Sequence, residues 1–588
     1  MSVAGGRVSA FRRVVAGNLR SYLKVFLALS PWVSLGLSIV FLYVATYGLL
    51  VGGAYITDGR VTYYASFYRG YEGMFLLAAA LLALYSATAS SGLGRRSAIA
   101  AVAYTALTAS TYLLNPILLY IPYTVLLVVL TINTYRGRAW GNLVRGLALS
   151  AALLELPALA FRVGAFLGLR AGFLEPANAF TSYLNSSLWA TTILVSAAVA
   201  VAPLAGVKLG KAPESGPGSG GGDVAYIALA LSVALAVGLA GHSPAVNPRG
   251  VPVDVDWIHY YRWLNTMMGS ADPVAAAFQL AGDRPAFLLA LYAVAKLFRA
   301  DLLKLCVYME VVLIQLYTLA SYYVAREYLG NRAARYAALL APLTPHALSF
   351  IYGGFQADLF SLTLIYVALG LSARPSLRRL PAVAALSVLA SLTHAWTWFQ
   401  FTALVSAYVL VSAAACTARR RLRELPRLTP YIAYVAPSSL AYLALRTYIY
   451  TEGLTNFERN LKLFWAAITS RAPDLGALWR NSLFYFNIYT GGTLTNYIYW
   501  LLVLVGSAVT QLSTLIYIVA SLPLTSALTM YAYTEHSSLL AYRTTINTST
   551  HLLVAKLFDR LPRDVRVCLY ITLLSLALGK VLSIVPKF

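Results

Sequence analysis

The hydrophobic positions of this chain fall in long runs, and short segments that carry most of the charged residues separate the runs. Many of the runs have about the 20 residues that an α-helix needs to cross the hydrocarbon core of a bilayer. Hydrophobic residues make up 59% of the 588 residues and charged residues only 11%, a balance that excludes an ordinary soluble globular protein. The pattern therefore predicts an all-α fold, a polytopic transmembrane helical bundle of roughly 17 spans.

Basic residues are concentrated in alternate segments between the runs, from Arg95 and Arg96 to Arg560 and Arg563. Because cytoplasmic loops carry an excess of Lys and Arg, this alternation predicts a multi-pass plasma-membrane protein whose N-terminus is cytoplasmic. The net charge of +24 reflects the same bias and requires no nucleic-acid partner. The first run follows a basic segment but has no small-residue cleavage site after it, so we expect a retained helix.

One low-complexity stretch divides the chain. Residues 212–223 read APESGPGSGGGD, and this Gly- and Ser-rich composition predicts a flexible linker. The linker separates an N-terminal module of six predicted transmembrane helices, 1–211, from a second membrane module, 224–588. The first module carries no legible chemistry, and one interpretation is that it is a scaffold for a partner enzyme.

The stretch 242–299 interrupts the membrane pattern with acids, aromatic residues and a proline-led helix. A short helix is predicted from Asp256, because a carboxylate at a helix start accepts free backbone N–H groups and complements the helix dipole. Tyr260 and Trp263 follow at helical intervals, which indicates a helix that lies in the headgroup layer. A second helix is predicted to begin at Arg284-Pro285. Its apolar stripe comprises Phe287, Leu288, Leu291, Ala295 and Phe298.

The motifs Asp254-Val255-Asp256, Tyr260 and Arg284-Pro285 lie on the predicted outer side of the membrane, in this order. This arrangement resembles the first outer loop of the GT-C superfamily of membrane glycosyltransferases, which includes protein O-mannosyltransferases, aminoarabinose transferases and oligosaccharyltransferases. The resemblance covers the chain from about residue 224 onwards. Two departures are visible: Ala286 replaces a second proline, and the Trp-Trp-Asp motif of the oligosaccharyltransferases is absent.

Two acids at this spacing can share a divalent cation such as Mg²⁺ or Mn²⁺, or leave one carboxylate free as a general base. The resemblance implies that such an acid deprotonates an acceptor hydroxyl, which then attacks a sugar carried on polyprenyl phosphate with inversion. It gives the role of base to Asp256, one turn before Tyr260, with Asp254 beside it. It also suggests Asp358 as a third metal or substrate ligand. The alternative is a solvated turn with ordinary helix caps.

Other polar and aromatic residues are predicted at the same membrane face. His394 and Trp396 are candidate sugar contacts, and Tyr260 and His259 join them as predicted substrate-binding residues. The resemblance implies a basic residue that holds the lipid phosphate, and a guanidinium matches phosphate with paired donors. Arg543 and Arg284 are the candidates. A packed histidine and a headgroup-contacting arginine are the corresponding structural interpretations.

The resemblance implies a GT-C type glycosyltransferase of the cell surface. The donor is expected to be a polyprenyl- or dolichyl-phosphate sugar, used at the extracellular face, and the acceptor a protein, lipid or glycan. No nucleotide-binding loop is visible, which agrees with a lipid-linked donor. The alternative is a transporter or flippase, because Glu155 and Glu310 lie in apolar runs, where acids mark ion paths in carriers. Paired half-repeats, which many carriers have, are not detectable.

Overall fold

The computed structural model describes residues 140–169, 171–187, 221–280, 284–449, 496–510 and 543–585, and the isolated residues 199, 202, 462, 494, 514, 515 and 519. Every regular element in this part of the chain is a helix, which confirms the all-α prediction. Six of these helices are long and apolar enough to cross a membrane, and shorter apolar helices accompany them. The protein is a multi-pass membrane protein.

The α-helices are numbered in chain order. They are α1 (Trp140–Phe166), α2 (Glu175–Ser187), α3 (Gly221–Ala240), α4 (Trp257–Gly269), α5 (Pro273–Leu280), α6 (Pro285–Phe298), α7 (Leu302–Leu329), α8 (Asn331–Leu340), α9 (Pro345–Gly353), α10 (Gln356–Ser372), α11 (Leu380–Thr393), α12 (Ala395–Ala418), α13 (Thr429–Ile449), α14 (Tyr497–Ala508), α15 (Thr550–Arg560) and α16 (Arg563–Ile584).

The chain divides into two compact units, Met1–Pro157 with Pro562–Thr572, and Ala158–Leu561 with Leu573–Phe588. Every candidate site residue lies in the second unit. Most of the predicted module 1–211 and residues 212–220 of the predicted linker lie outside the described residues. Helix α3 begins at Gly221, so the last three residues of the linker stretch are helical. The predicted division into modules stays a prediction.

Helix α7 is the centre of the second unit, and it packs against α3, α4, α8 and α10. Its buried side chains occur all along its length, from Cys306 to Ala325. Helix α10 packs in turn against α11, and α11 against α13. These contacts bring the beginnings of α4 and α10 to the same end of α7.

The apolar run 336–351, whose composition favours one of the predicted spans, is not a single helix. Helix α8 ends at Leu340, a 3-10 turn covers Ala341–Leu343, and α9 begins at Pro345. Pro342 and Pro345 lack the N–H groups that a continuous helix would require. Thr344 starts the new helix, because its hydroxyl accepts the Ala347 amide at 3.0 Å.

The two helices predicted in the acidic stretch are present as α4 and α6, and α5, which was not predicted, lies between them. Proline occupies the first position of α6, as predicted, and the predicted stripe is buried up to Ala295. Phe298 departs from it and is 71% exposed. The helix ends there, because Arg299 adopts a left-handed conformation with φ 48°.

Candidate active site

The two acids that precede α4 have different environments. Asp254 is buried, and its Oδ1 accepts a 2.6 Å hydrogen bond from the amide of Trp257. Asp256 occupies the N-cap position with φ −94° and ψ −4°, and its side chain makes no capping bond. The cap predicted for Asp256 is therefore supplied by Asp254, because helical backbone angles at Asp256 turn its carboxylate away from the first amides. The Asp256 carboxylate therefore remains available to accept a proton or to contact a ligand.

Gly354 allows this loop to approach the turn between α9 and α10. Its φ is 72°, in the region that favours glycine. A Cβ at this position would lie 2.6 Å from both Asp254 Oδ1 and the Asp256 amide nitrogen. The acidic loop and the turn before α10 are thus in direct backbone contact, and both acids are fixed by it.

Replacing Gly354 by Ala is expected to destabilise the protein more than replacing Gly250 by Ala. Both glycines have positive φ, 72° and 60°, which costs a non-glycine residue roughly 1 kcal/mol. The Cβ at Gly250 would meet nothing within 4 Å, so that variant isolates the backbone strain. Gly354→Ala adds a steric clash of about 1–3 kcal/mol. Thermal unfolding in detergent would measure the difference, and equal midpoints for the two variants would contradict the contact.

Asp254 also lies against Glu310, a buried residue of α7, and the two carboxyl groups interact. The Gln356 side-chain amide donates to Glu310 Oε1 at 2.8 Å and to the Cys306 carbonyl at 2.7 Å. Burial raises the pKa of Asp254 to about 7, against the opposing hydrogen bond from Trp257. Two neighbouring buried carboxyl groups cannot both ionise readily, so they retain a shared proton. The pair joins the acidic loop to α7 and to the start of α10.

The stability of the protein is expected to decrease as the pH rises from about 4 to about 7. The pKa of Asp254 is raised from 3.8 to about 7, so in this window the folded protein holds a proton that the unfolded chain has lost. The stabilisation is complete below the unfolded pKa and is lost as the pH passes the folded pKa. Asp254→Asn, which does not titrate, should flatten this part of the profile of unfolding midpoints. If the unfolding midpoint of Asp254→Asn falls with pH as steeply as that of the wild type, the shared proton is contradicted.

Asp256 is partly exposed, and several charged groups influence its carboxylate. Arg284, Arg543, His259 and Asp358 all act on it electrostatically. Burial raises the pKa of Asp256, while the two arginines oppose this shift. The result is a carboxylate with an elevated proton affinity whose charged form two guanidinium groups stabilise, and such a carboxylate can act as a general base.

Tyr260 connects α4 to Arg284 and to α10. Its hydroxyl oxygen accepts from Arg284 Nη1 at 3.0 Å and from the Ala357 amide at 3.3 Å. The guanidinium of Arg284 also lies over the rings of Tyr260 and Trp263, 5.8 and 5.4 Å from their centroids. Burial raises the pKa of Tyr260, so the phenol stays protonated. Tyr260 thus positions Arg284. Its bond to Ala357 also holds α4 against the residue that precedes Asp358.

Asp358 is buried on α10 and is held by residues at the start of α12. His394 Nδ1 lies 2.8 Å from Asp358 Oδ1, and the hydroxyl of Thr397 donates to the same oxygen at 2.7 Å. Nδ1 of His394 also accepts a 3.3 Å hydrogen bond from the Thr397 amide, as the N-cap of α12. The structure brings the predicted residues Asp358 and His394 together, and the other ring nitrogen of His394, Nε2, is buried without a hydrogen-bond partner among the described residues.

Arg543 reaches this site through a buried polar segment. Residues 544–550 read TTINTST, and six of these seven residues have hydroxyl or amide side chains. The Asn547 amide donates to Thr397 Oγ1 at 3.1 Å, and Gln400 donates to the Thr544 carbonyl at 3.1 Å. These bonds attach the segment to α12. Arg543 then lies with its guanidinium 5.7 Å from the ring centroid of Phe355 and acts electrostatically on both Asp256 and Asp358.

The remaining predicted contacts lie at the edge of this arrangement. His259 is exposed on α4, with its ring 5.8 Å from that of Trp263. Trp396 is only 7% exposed. The ring of Trp398 is stacked on Tyr442 at 5.1 Å, which covers one of its faces. His259 is thus the predicted aromatic contact most accessible to a substrate.

The predicted cation ligands are Asp254, Asp256 and Asp358. In the part of the chain that the structure describes, no group of three His, Cys, Asp or Glu side chains could hold a metal ion. Oδ1 of Asp254 accepts from the Trp257 amide, whereas its Oδ2 is buried without a hydrogen-bond partner among the described residues. The predicted three-acid set is thus not assembled, and dependence on a divalent cation stays a prediction.

Sequence reasoning missed several residues that hold the acids in place. Glu310 was considered only as a transport residue, and Gln356, Thr397 and Asn547 were not singled out. The signal for Asn547 was present, since a polar segment such as 544–550 is costly in a membrane protein unless its groups are bonded to each other or to neighbouring helices.

No family model matches the chain, and no curated protein matches it. Among solved structures, it is similar to the apo oligosaccharyltransferase of Archaeoglobus fulgidus, with TM-score 0.39 and 13% identity over 62% of this chain and 55% of that chain. It is also similar to ArnT from Cupriavidus metallidurans bound to undecaprenyl phosphate, with TM-score 0.41 and 15% identity over 63% of this chain and 77% of that chain. A complex of the archaeal enzyme, AglB, with an inhibitory peptide and dolichol-phosphate matches with TM-score 0.39 and 13% identity over 62% and 55% of the two chains. The chain thus spans about half the length of the archaeal enzyme.

Proposed function

We propose that the protein is a membrane glycosyltransferase that transfers a sugar from a polyprenyl- or dolichyl-phosphate carrier to an acceptor at the extracellular face. The observation that carries this proposal is the environment of Asp256. Its carboxylate is free of capping bonds, is partly exposed and is influenced electrostatically by Arg284 and Arg543. A base under the influence of two guanidinium groups suits a reaction in which a hydroxyl loses a proton while a phosphate leaves.

In the proposed reaction, the acceptor hydroxyl transfers its proton to the Asp256 carboxylate. The acceptor oxygen forms a bond to the anomeric carbon of the sugar, and the bond from that carbon to the phosphate oxygen breaks. The polyprenyl phosphate leaves with the electron pair. Because attack and departure occur on opposite faces of the anomeric carbon, the product is expected to have inverted configuration.

Arg543 and Arg284 are assigned to binding the phosphate group of the lipid-linked donor. The Nε of Arg543 is buried and has no hydrogen-bond partner among the described residues, and no described carboxylate forms an ion pair with its guanidinium. An incoming phosphate can accept a hydrogen bond from this Nε and can form an ion pair with the guanidinium. Arg284 is anchored by Tyr260 and adds positive charge at the same place. Asp358, held by His394 and Thr397, adds a second carboxylate that Arg543 influences.

The transporter interpretation rests on acids within apolar runs. Glu310 is the acid nearest to the site, and its contacts with Gln356 and Asp254 give it a positioning role that requires no transport. These contacts favour the glycosyltransferase. They do not depend on the identity of the sugar or of the acceptor.

The direct test uses purified protein in liposomes with dolichyl-phosphate mannose and dolichyl-phosphate glucose as radiolabelled donors. Cleavage of the phosphate–sugar bond, measured as label that moves from the organic phase to an acceptor or to water, is the expected result. Uptake of intact lipid-linked sugar into sealed vesicles, without cleavage, would overturn the proposal in favour of a flippase. Matched liposomes without protein are the control.

A further inference from the structure

A basic surface lies at the end of the helices opposite the acids, in the two segments that connect α10 to α11 and α12 to α13. Segment 373–379 reads ARPSLRR, and segment 419–428 reads RRRLRELPRL. Together they contain eight arginines, and Glu424 is their single acidic residue. None of these arginines takes part in the proposed sugar transfer.

Tyr328, one residue before the end of α7, holds the two segments beside each other. Its hydroxyl donates to the Leu369 carbonyl at 2.9 Å and lies 3.1 Å from the hydroxyl of Tyr431. Leu369 belongs to the last turn of α10, just before the first segment, and Tyr431 belongs to the first turn of α13, just after the second. Because Asp358 lies in the first turn of α10, the two segments are at the opposite end from the acids.

Two of the eight arginines have an acidic partner. Arg374 lies 2.7 Å from Glu327, and Arg421 lies 3.8 Å from Glu424. The other six form no ion pair among the described residues, and all of them except Arg379 are exposed. These six residues define the arginine surface: Arg378, Arg379, Arg419, Arg420, Arg423 and Arg427.

Three acids near this end of the helices are engaged by other arginines. Glu327, near the end of α7, contacts Arg326 as well as Arg374. Asp559, near the end of α15, lies 3.0 Å from the arginine at position 332, and Asp223, in the first turn of α3, is paired with the arginine at position 335. The arginine surface therefore carries an excess of positive charge that attracts anions.

The arginine surface begins where a membrane-spanning helix ends. Helix α12 is long and apolar enough to cross a membrane, and its last residue, Ala418, directly precedes Arg419. Leu377 and Leu422 lie among the arginines and are 82% and 58% exposed. Apolar side chains beside basic ones are typical of the boundary between headgroups and acyl chains. Clusters of about four to eight basic residues next to a spanning helix are typical of anionic-lipid binding.

From these observations we propose that the arginine surface binds the headgroups of anionic phospholipids in the leaflet opposite the acids. The guanidinium groups donate paired hydrogen bonds to the lipid phosphates, and the negative charge of the headgroups compensates that of the arginines. Leu377 and Leu422 contact the adjoining part of the acyl chains. The two leucines favour a lipid over a soluble anion, which would leave their side chains in water.

Two exposed arginines with a left-handed backbone provide a matched pair of substitutions. Arg420, in the arginine surface, has φ 54°, and Arg299, at the end of the helices where the acids lie, has φ 48°. Glycine adopts these angles more readily than arginine, so Arg420→Gly and Arg299→Gly each remove one charge without adding backbone strain. Two triple variants extend the pair: Arg378→Gln/Arg420→Gly/Arg423→Gln in the arginine surface, and Arg249→Gln/Arg262→Gln/Arg299→Gly, all exposed, at the other end.

The test measures how tightly the full-length proteins in neutral detergent bind dioctanoyl phosphatidylglycerol and dioctanoyl phosphatidylcholine, by native mass spectrometry. The wild type should bind the anionic lipid more tightly than the zwitterionic one. The triple variant of the arginine surface should bind phosphatidylglycerol about a hundredfold more weakly, since each basic residue near an anionic surface contributes roughly fivefold. The control triple variant should bind it like the wild type, and an equal concentration of inorganic phosphate should not displace it.

The proposal fails if the two lipids bind equally, or if the triple variant of the arginine surface loses no more affinity than the control. It also fails if inorganic phosphate displaces phosphatidylglycerol at equal concentration, which would assign the surface to a soluble anion. Unfolding midpoints show whether the variants fold. If the surface triple variant does not, Arg420→Gly is compared with Arg299→Gly, and only the former should weaken binding, by about fivefold. None of these readouts depends on sugar transfer.

Discussion

Asp256→Asn is expected to abolish measurable sugar transfer, with a loss of roughly a thousandfold in kcat. The amide has nearly the same shape as the carboxylate but cannot take a proton from the acceptor hydroxyl. Asp256 makes no capping bond, so the variant should fold normally and keep its unfolding midpoint. Donor binding should be retained, because the arginines that hold the phosphate are unchanged.

The matched control is Asp254→Asn, two residues earlier. Its amide oxygen can still accept from Trp257, and its NH₂ group can donate to Glu310 in place of the shared proton. We therefore expect this variant to keep transfer within a few-fold of the wild type, because the hydrogen bonds of the acid are preserved. The two substitutions are chemically identical and differ only in the environment of the acid.

Measuring kcat and KM for both variants with the same donor separates the assignments. The opposite order, with Asp254→Asn inactive and Asp256→Asn active, would give the role of base to Asp254. Full activity in both variants would remove this pair of acids from the chemistry. Donor binding measured without turnover would show whether either variant has lost substrate instead of catalysis.

The sequence predicted the local features of this site well, because their causes are local. A carboxylate before an amphipathic segment starts α4, and a proline at the first helical position starts α6. Such local reasoning could not decide which of the two acids, Asp254 or Asp256, caps α4. The choice depends on the backbone angles of Asp256 and on the contact with Gly354, which follows about a hundred residues later.

The supports of the acids could not be predicted, since they come from distant parts of the chain. Asn547 reaches Thr397 across 150 residues, and Gln356 reaches Glu310 across 46. These contacts follow from the packing of α7, α10 and α12, which a single sequence does not specify. His394 illustrates the consequence: its neighbouring tryptophans suggest a sugar contact, and nothing in their spacing predicts the contact of its ring with Asp358.

Arg543→Gln is expected to raise the KM for the lipid-linked donor by about a hundredfold, since charge-assisted hydrogen bonds contribute up to about 3 kcal/mol. Glutamine retains hydrogen-bonding capacity but loses the charge and the paired donors of the guanidinium. The segment that carries Arg543 is attached to α12 by Gln400 and Asn547, so the backbone should stay in place. Arg543→Lys, which keeps the charge, should recover part of the affinity.

The effect on pH dependence distinguishes a phosphate contact from a structural role. Arg543 lowers the pKa of Asp256, so its loss should shift the acidic limb of the kcat profile to higher pH. Arg284→Gln should shift this limb in the same direction, and it should also lower stability because it breaks the bond to Tyr260. A variant of Arg543 with unchanged donor KM and unchanged pH profile would remove this arginine from the site. If the pH profile of kcat shifts while the KM for the donor is unchanged, Arg543 only modulates the pKa of the base. Phosphate binding would then be assigned to Arg284.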